Sequence, residues 1–154
     1  ERRPFYEDYF RLEYLSTLIG ILEMGEVNGF RVVLVKQPLL LNPEVQLSVE
    51  AWSIDELIDE MKKTSYEVYT SSTYQEDNKA TKFWILTNAI LNRQMDHAKQ
   101  IKPNAVIVET NRAFLEAPDG LFHDYVHLTP EGNRVLAQVI AREVLQIQPL
   151  ERAR

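Results

Sequence analysis

Two short apolar runs, separated by long segments of helical periodicity, constrain the fold of this chain more than any other feature. The runs cover residues 30–35 and 105–109 and are rich in valine and isoleucine. Continuous apolar runs of this length are typical of strands buried on both faces of a parallel sheet. Residues 8–24, 80–100 and 130–146 repeat their apolar side chains at helical spacing. Alternating helices and strands predict an α/β protein with a parallel sheet.

Local signals set the expected ends of the helices. Gly25 is placed to end the first helix, and the capping-box pattern from Ser53 to Glu56 predicts a short helix that continues to about Met61. Thr129 and Pro130 predict the cap and first residue of the last helix. The buried side of the long helix is expected to carry Phe83, Leu86, Ile90, Met95 and Ala98. The inner face of the last helix is expected to carry Val135, Leu136, Val139, Ile140 and Val144.

The stretch from residue 43 to residue 80 is predicted to be an insertion or lid-like excursion in a single domain that covers residues 1–154. Its section 64–77 is polar and rich in tyrosine, serine and threonine, which predicts a mobile loop. Tyr66, Tyr69 and Tyr74 either line a substrate groove or pack onto the body of the domain. Sheets usually contain about four to six strands. We therefore expect further strands in the insertion, or a domain that is incomplete at its N-terminus.

Composition excludes several classes of function. The 154 residues carry 23 acidic and 17 basic side chains, a net charge of −6, without a block of lysine and arginine. Such a chain is a poor candidate for binding nucleic acid or an anionic membrane. It contains no cysteine, which excludes disulfides, thiolate metal sites and a cysteine nucleophile. No apolar run reaches the roughly 20 residues that a membrane span requires.

The motif with the clearest chemistry is Asp124-Tyr125-Val126-His127, directly before the last predicted helix. An aspartate at this spacing can accept the Nδ1 proton of the histidine, which leaves Nε2 free to take a proton from a nucleophile. His123 and His127 suggest a metal site as an alternative, but the four-residue spacing suits a helix and both residues precede the helix start. We therefore expect neither a metal nor an organic cofactor.

Further polar residues follow the predicted strands. Ligands of open parallel sheets bind at the carboxyl ends of the strands, where Gln37 follows the first run and Glu109-Thr110-Asn111 end the second. Gln37 is thus a candidate substrate-binding residue. His97 is expected at the surface, Asn88 and Asn92 at the surface or in packing, and Trp52 and Trp84 as core or interface anchors.

Residues 122–137, F-H-D-Y-V-H-L-T-P-E-G-N-R-V-L-A, resemble the last conserved block of the SGNH (GDSL-type) hydrolases. The runs 31–38 and 105–109 are also similar to strands of that family. The resemblance implies a flavodoxin-like, three-layer α/β/α fold in which Asp124 is the acid and His127 the base of a catalytic triad. The family's Gly-Asp-Ser and Gly-x-Asn-Asp signatures are absent. The resemblance therefore implies that the chain is the C-terminal portion of such a domain, with its serine on another chain or segment.

Three functions are compatible with these features. The first is a serine ester hydrolase of the esterase, lipase or acetylesterase type, acting on a small-molecule or carbohydrate ester. The second is a non-catalytic, hydrolase-like subunit that binds or supports a larger assembly. The third is an O-acyltransferase that transfers an acyl group to a carbohydrate hydroxyl with the same residues. The resemblance also favours a secreted or periplasmic location, because many family members are found there.

Overall fold

The helices and strands alternate along the chain, as the sequence predicts. The computed structural model describes residues 8–38, 49, 51–70, 78–115, 120–123 and 127–147. This part of the chain is a mixed α/β structure that is mostly helical and contains a two-stranded parallel sheet. In chain order its elements are a π-helical turn (Tyr9–Glu13), α1 (Tyr14–Asn28), β1 (Val33–Val35), α2 (Ile54–Thr70), α3 (Asn78–Ile101), β2 (Val106–Val108), α4 (Asn111–Leu115) and α5 (Pro130–Gln146).

The parallel pairing predicted for the two apolar runs is confirmed. Val33, Leu34 and Val35 of β1 lie opposite Val106, Ile107 and Val108 of β2, respectively. Parallel strands require a crossover connection, which α2 and α3 provide here. Each strand has three residues and is shorter than the run that predicted it.

Two groups of buried side chains surround this crossover. In the first, Leu57, Ile58 and Met61 of α2 pack against Leu86 and Ile90 of α3, and all five are at most 1% exposed. The second joins α1, β1 and α3 around the buried residues Leu18, Leu22, Leu34, Ala98 and Ala105. Burial of Leu86, Ile90 and Ala98 confirms the predicted inner face of the long helix; Phe83 and Met95 are partly buried.

The prediction that Gly25 ends the first helix is wrong, because α1 continues to Asn28 and ends at Gly29. Gly29 has φ +70°, in the left-handed region that glycine adopts without steric cost. Gly25 instead permits a close approach of the chain that returns from the helix. A Cβ at this position would lie 2.8 Å from Val32 Cγ2 and 2.9 Å from the Phe30 carbonyl oxygen. Glycine is therefore required at position 25 by packing rather than by the end of the helix.

The capping box that opens α2 is confirmed. The Ser53 amide donates to Glu56 Oε2 at 2.7 Å, and the Glu56 amide donates to Ser53 Oγ at 3.2 Å. The helix, however, continues beyond Met61 to Thr70, so the predicted loop is wrong for residues 64–70. The packing of α2 against α3 lies at Leu57, Ile58 and Met61, and residues 64–70 continue the helix that this packing stabilises. Residues 71–77 lie outside the described residues, as do the side chains of the three tyrosines assigned to a groove.

The last helix agrees with its predicted bounds. Thr129 is the N-cap, Pro130 is the first residue, and the helix ends at Gln146. Val139 is 7% exposed, as expected for the inner face, but Val144 is 42% exposed, which contradicts its predicted burial. None of the helices within the described ranges is both long and apolar enough to cross a membrane.

Two glycines of α1 provide a matched test of the close approach at Gly25. Because the added Cβ would clash with backbone, we expect Gly25→Ala to lower the free energy of unfolding by about 1–3 kcal/mol. At Gly20 no atom lies within 4 Å of the position that a Cβ would occupy, so Gly20→Ala should raise stability by up to about 1 kcal/mol. Urea unfolding followed by circular dichroism measures both changes. Equal effects of the two substitutions would contradict the packing explanation.

Candidate functional site

Two hydrogen bonds of the Lys36 main chain, to Val108 and Thr110, connect the carboxyl ends of the two strands. The Lys36 amide donates to the Val108 carbonyl oxygen at 3.2 Å, which extends the parallel ladder by one bond. Thr110 Oγ1 then donates to the Lys36 carbonyl oxygen at 2.5 Å. Thr110 is fully buried, so this hydrogen bond is shielded from competing water. The strand ends are thereby held in fixed register, at the edge where α/β proteins bind ligands.

The buried Lys36 side chain forms an ion cluster with two partly exposed carboxylates at this edge. Its Nζ lies 2.8 Å from Asp96 Oδ1 of α3 and 2.6 Å from Glu109 Oε1, just after β2. Burial lowers the pKa of Lys36, but the hydrogen bonds and charges of the two carboxylates outweigh it, and the net pKa is raised. The ammonium therefore keeps its proton at neutral pH. Lys36 is thus unsuited to act as a general base or an amine nucleophile.

Gln37, the predicted substrate-binding residue, lies next to this cluster. Its side chain is exposed, and its carbonyl oxygen accepts a long hydrogen bond of 3.4 Å from Asn88 Nδ2. Asn92 Nδ2 in turn donates to Asn88 Oδ1 at 2.8 Å. The two asparagines of α3 are partly buried and connect the helix to the end of β1. Their sequence assignment to the surface or to packing did not foresee this connection.

The loop that carries His127 is closed by backbone pairing at its two ends. Phe122 and Leu128 form an isolated antiparallel bridge, and the His123 amide donates to the His127 carbonyl oxygen at 2.7 Å. The His127 side chain is exposed. Asp124 lies outside the described residues, so its pairing with His127 stays a prediction.

The loop is anchored to the start of α5. Thr129 Oγ1 accepts from the Gly132 amide at 3.1 Å and donates to the Gly120 carbonyl oxygen at 2.9 Å. The Thr129 amide also donates to the Leu121 carbonyl oxygen at 2.9 Å. Gly132 is required by this contact, because a Cβ would lie 2.1 Å from the same Leu121 oxygen. The helix cap therefore anchors the chain that leads from His127 into α5 to residues 120 and 121.

An aromatic pair connects this loop to the strand ends. The rings of Phe114 in α4 and Phe122 are 5.4 Å apart in an edge arrangement. Since α4 begins immediately after Thr110, the His127 loop is tied to the β2 end of the edge. Gln37 instead contacts α3, through Asn88. The described contacts thus place the predicted site residues on two parts of one edge, and they do not join Gln37 to His127 directly.

The remaining candidates have simpler environments. His97 is exposed, as predicted, and Trp52 packs against the α2–α3 core, whereas Trp84 is 46% exposed. Within the described ranges, no group of three or more histidine, aspartate or glutamate side chains could hold a metal ion. A metal site that includes Asp124 is not tested by this observation.

Sequence reasoning missed Lys36 and Asp96. The signal for Lys36 was its place directly after an apolar strand. A lysine that is buried there needs a partner of opposite charge. Comparisons with protein-family models, with curated proteins and with solved structures find no match to this chain.

The ion cluster predicts a pH-dependent loss of stability in Lys36→Met. We expect a loss of about 1–3 kcal/mol near neutral pH, less than for a fully buried pair because both carboxylates keep solvent contact. The pKa of Lys36 is raised in the folded state, so its contribution is complete below the unfolded pKa and is lost as the pH rises through the folded pKa. The gap to wild type should thus close above about pH 10.5.

Urea unfolding at a series of pH values measures this gap. Lys99→Met is the matched control, because Lys99 is an exposed lysine of α3. A gap that is equally large for both variants, or that stays constant up to the alkaline limit, would contradict the ion cluster.

The helix cap predicts a specific effect of Thr129→Ala. The substitution removes both hydrogen bonds of the hydroxyl and should lower stability by about 1 kcal/mol. It should also speed hydrogen exchange of the Gly132 amide, measured by NMR. Thr129→Ser keeps the hydroxyl and should preserve slow exchange; rapid exchange in this control would show that the cap does not protect that amide.

Proposed function

We propose that this chain carries the acid–base half of an SGNH-type serine ester hydrolase site, with Asp124 as the acid and His127 as the base. The observation that carries the proposal is the setting of His127. Its exposed imidazole lies in a loop with paired ends, directly before a capped helix and after the second parallel strand. Anchoring of the chain after His127 near the carboxyl end of β2 supports a role for this imidazole with a group that approaches from outside.

The chemistry follows from the properties of a hydroxyl nucleophile. Serine is weakly nucleophilic at neutral pH, so His127 Nε2 removes its proton while Oγ bonds to the ester carbonyl carbon. The tetrahedral intermediate expels the alkoxide, which takes that proton from His127 and leaves as the alcohol. Water then attacks the acyl-enzyme by the same proton transfers and releases the acid. Asp124 holds the imidazole tautomer and stabilises the imidazolium.

The nucleophile is proposed to come from another segment or chain. Two serines are described with their side chains: Ser53 is engaged in the cap of α2, and Ser16 lies on the exposed side of α1. Neither follows an apolar strand at a sharp turn, the setting in which serine hydrolases of α/β folds present their nucleophile. O-acyl transfer would use the same residues, with a carbohydrate hydroxyl replacing water.

A flavodoxin-like, three-layer α/β/α domain is the proposed scaffold. Leu34 and Ile107 pack on the side of α1 and α3. Val108 follows Ile107 and therefore lies on the opposite face of the sheet, where it is fully buried. Helix α5 contacts β2. Helices on both faces and parallel pairing are typical of this architecture. Two strands are fewer than usual, which supports completion of the sheet by strands outside the described residues.

A non-catalytic, hydrolase-like subunit is the second proposal. It is favoured by the settings of the two serines described with their side chains, because Ser53 caps α2 and Ser16 lies on an exposed helix face, and a chain that only binds needs no nucleophile nearby. Such a subunit would keep the Thr129 cap and the Lys36 cluster for stability alone. The two proposals differ in one measurable property, the presence of an activated hydroxyl.

A fluorophosphonate probe, which reacts with activated serines, tests the choice on the full-length protein. The hydrolase proposal predicts rapid labelling that falls by on the order of a thousandfold in His127→Ala. His97→Ala is the control, because His97 is an exposed histidine of α3, and it should label normally. Folded protein that never reacts would rule out the hydrolase and favour the binding subunit. A His127→Ala variant that reacts at the wild-type rate would show that His127 is not the base.

A further inference from the structure

We infer that a row of side chains on α3 forms a binding surface for an uncharged oligosaccharide. This inference rests on the proposed function, because it names the polyhydroxyl part of the ester. The row, termed the α3 polar row, consists of Trp84, Asn88, Asn92 and Asp96. Positions four residues apart lie next to one another on a helix surface. At a rise of about 1.5 Å per residue, the row is about 18 Å long, which suits several linked sugar rings.

The α3 polar row passes the carboxyl ends of both strands. Asn88 donates to the carbonyl oxygen of Gln37, which follows β1. Asp96 contacts Lys36 Nζ, and the same ammonium contacts Glu109 after β2. The row therefore lies along the part of this edge that carries Gln37 and the Lys36 cluster. Trp84 precedes Asn88 by one helical turn. It therefore continues the row beyond the carboxyl ends of the strands.

The side chains of the row offer complementary groups for a sugar. Trp84 is 46% exposed, and its flat apolar ring matches the C–H face of a pyranose. Amides carry paired donors and acceptors, and carboxylates carry paired acceptors, which suit hydroxyls on adjacent ring carbons. Asn92 and Asn88 use one donor each in the bonds described above, and this leaves further donors and acceptors for a ligand. Aromatic surface with a few placed polar groups is typical of ligand sites.

The net charge of the Lys36 cluster favours neutral sugars over anionic ones. Lys36 is shared by two carboxylates whose side chains remain 44% exposed at Asp96 and 63% exposed at Glu109. The cluster therefore has one more negative than positive charge and presents acceptor oxygens to solvent. It should accept hydrogen bonds from hydroxyls and repel carboxylate- or phosphate-bearing sugars. A neutral glycan is the ligand that this edge favours.

The test is direct binding, which requires no catalysis. Saturation-transfer NMR and tryptophan fluorescence are recorded on the full-length protein with xylotetraose, mannotetraose and chitotetraose, and with tetragalacturonate as the anionic comparison. We expect binding of at least one neutral tetrasaccharide with a change in Trp84 emission, and weaker binding of tetragalacturonate. Trp84→Ala and Asn92→Ala should each weaken the affinity by about tenfold or more.

The control variants are Phe30→Ala, which removes a 51% exposed aromatic ring near α1, and Gln100→Ala, which removes an exposed amide of α3. Both should bind as wild type, and circular dichroism should verify that every variant folds. Three results would overturn the inference: no neutral tetrasaccharide binds, the Trp84 and Asn92 variants bind as wild type, or tetragalacturonate binds most tightly. Fluorophosphonate labelling without sugar binding would reject the α3 polar row alone, and sugar binding without labelling would reject the hydrolase alone.

Discussion

The shielded hydrogen bond from Thr110 to the carbonyl group of Lys36 is the contact on which the candidate site depends. A parallel pair of three-residue strands has few ladder bonds, so its ends require additional fastening. The buried threonine hydroxyl supplies it at β2, and the Lys36 ammonium adds bonds to Asp96 and Glu109. One residue thereby ties both strands and α3 together through its main chain and its side chain. Thr110 and the Lys36 ammonium are buried, whereas the two carboxylates remain partly exposed to solvent.

The loop of His127 is anchored by a helix cap and not by an ion cluster. The chain after His127 is anchored by the cap of α5, where Thr129 bonds both the helix start and Gly120, and where Gly132 allows Leu121 to approach. The Phe114–Phe122 contact then joins this unit to the end of β2. In the proposed hydrolase, this anchoring would limit the movement of the base and reduce the entropy lost on reaching the reactive geometry.

Much of the fold could be predicted because its determinants are local. The apolar runs predicted the parallel strands, and hydroxyl and proline signals predicted the start of α5. The error at Gly25 comes from tertiary packing, because this glycine has the right residue type for a helix end but serves the approach of Val32. The polar composition of residues 64–70 predicted a loop, whereas the chain there continues the helix that begins at Ile54. Lys36 and Asp96 meet across sixty positions, and no local pattern encodes such a partnership.

The proposed base requires that His127 presents an unprotonated Nε2 to a hydroxyl while Asp124 holds its Nδ1 proton. Long-range ¹H–¹⁵N NMR of the imidazole rings, recorded with His127 in its neutral form, measures the tautomer directly. The account predicts that the proton resides on Nδ1 in the wild type, and that Asp124→Asn reduces this preference while the spectrum of exposed His97 stays unchanged. A wild-type His127 that carries its proton on Nε2 would contradict the proposed base.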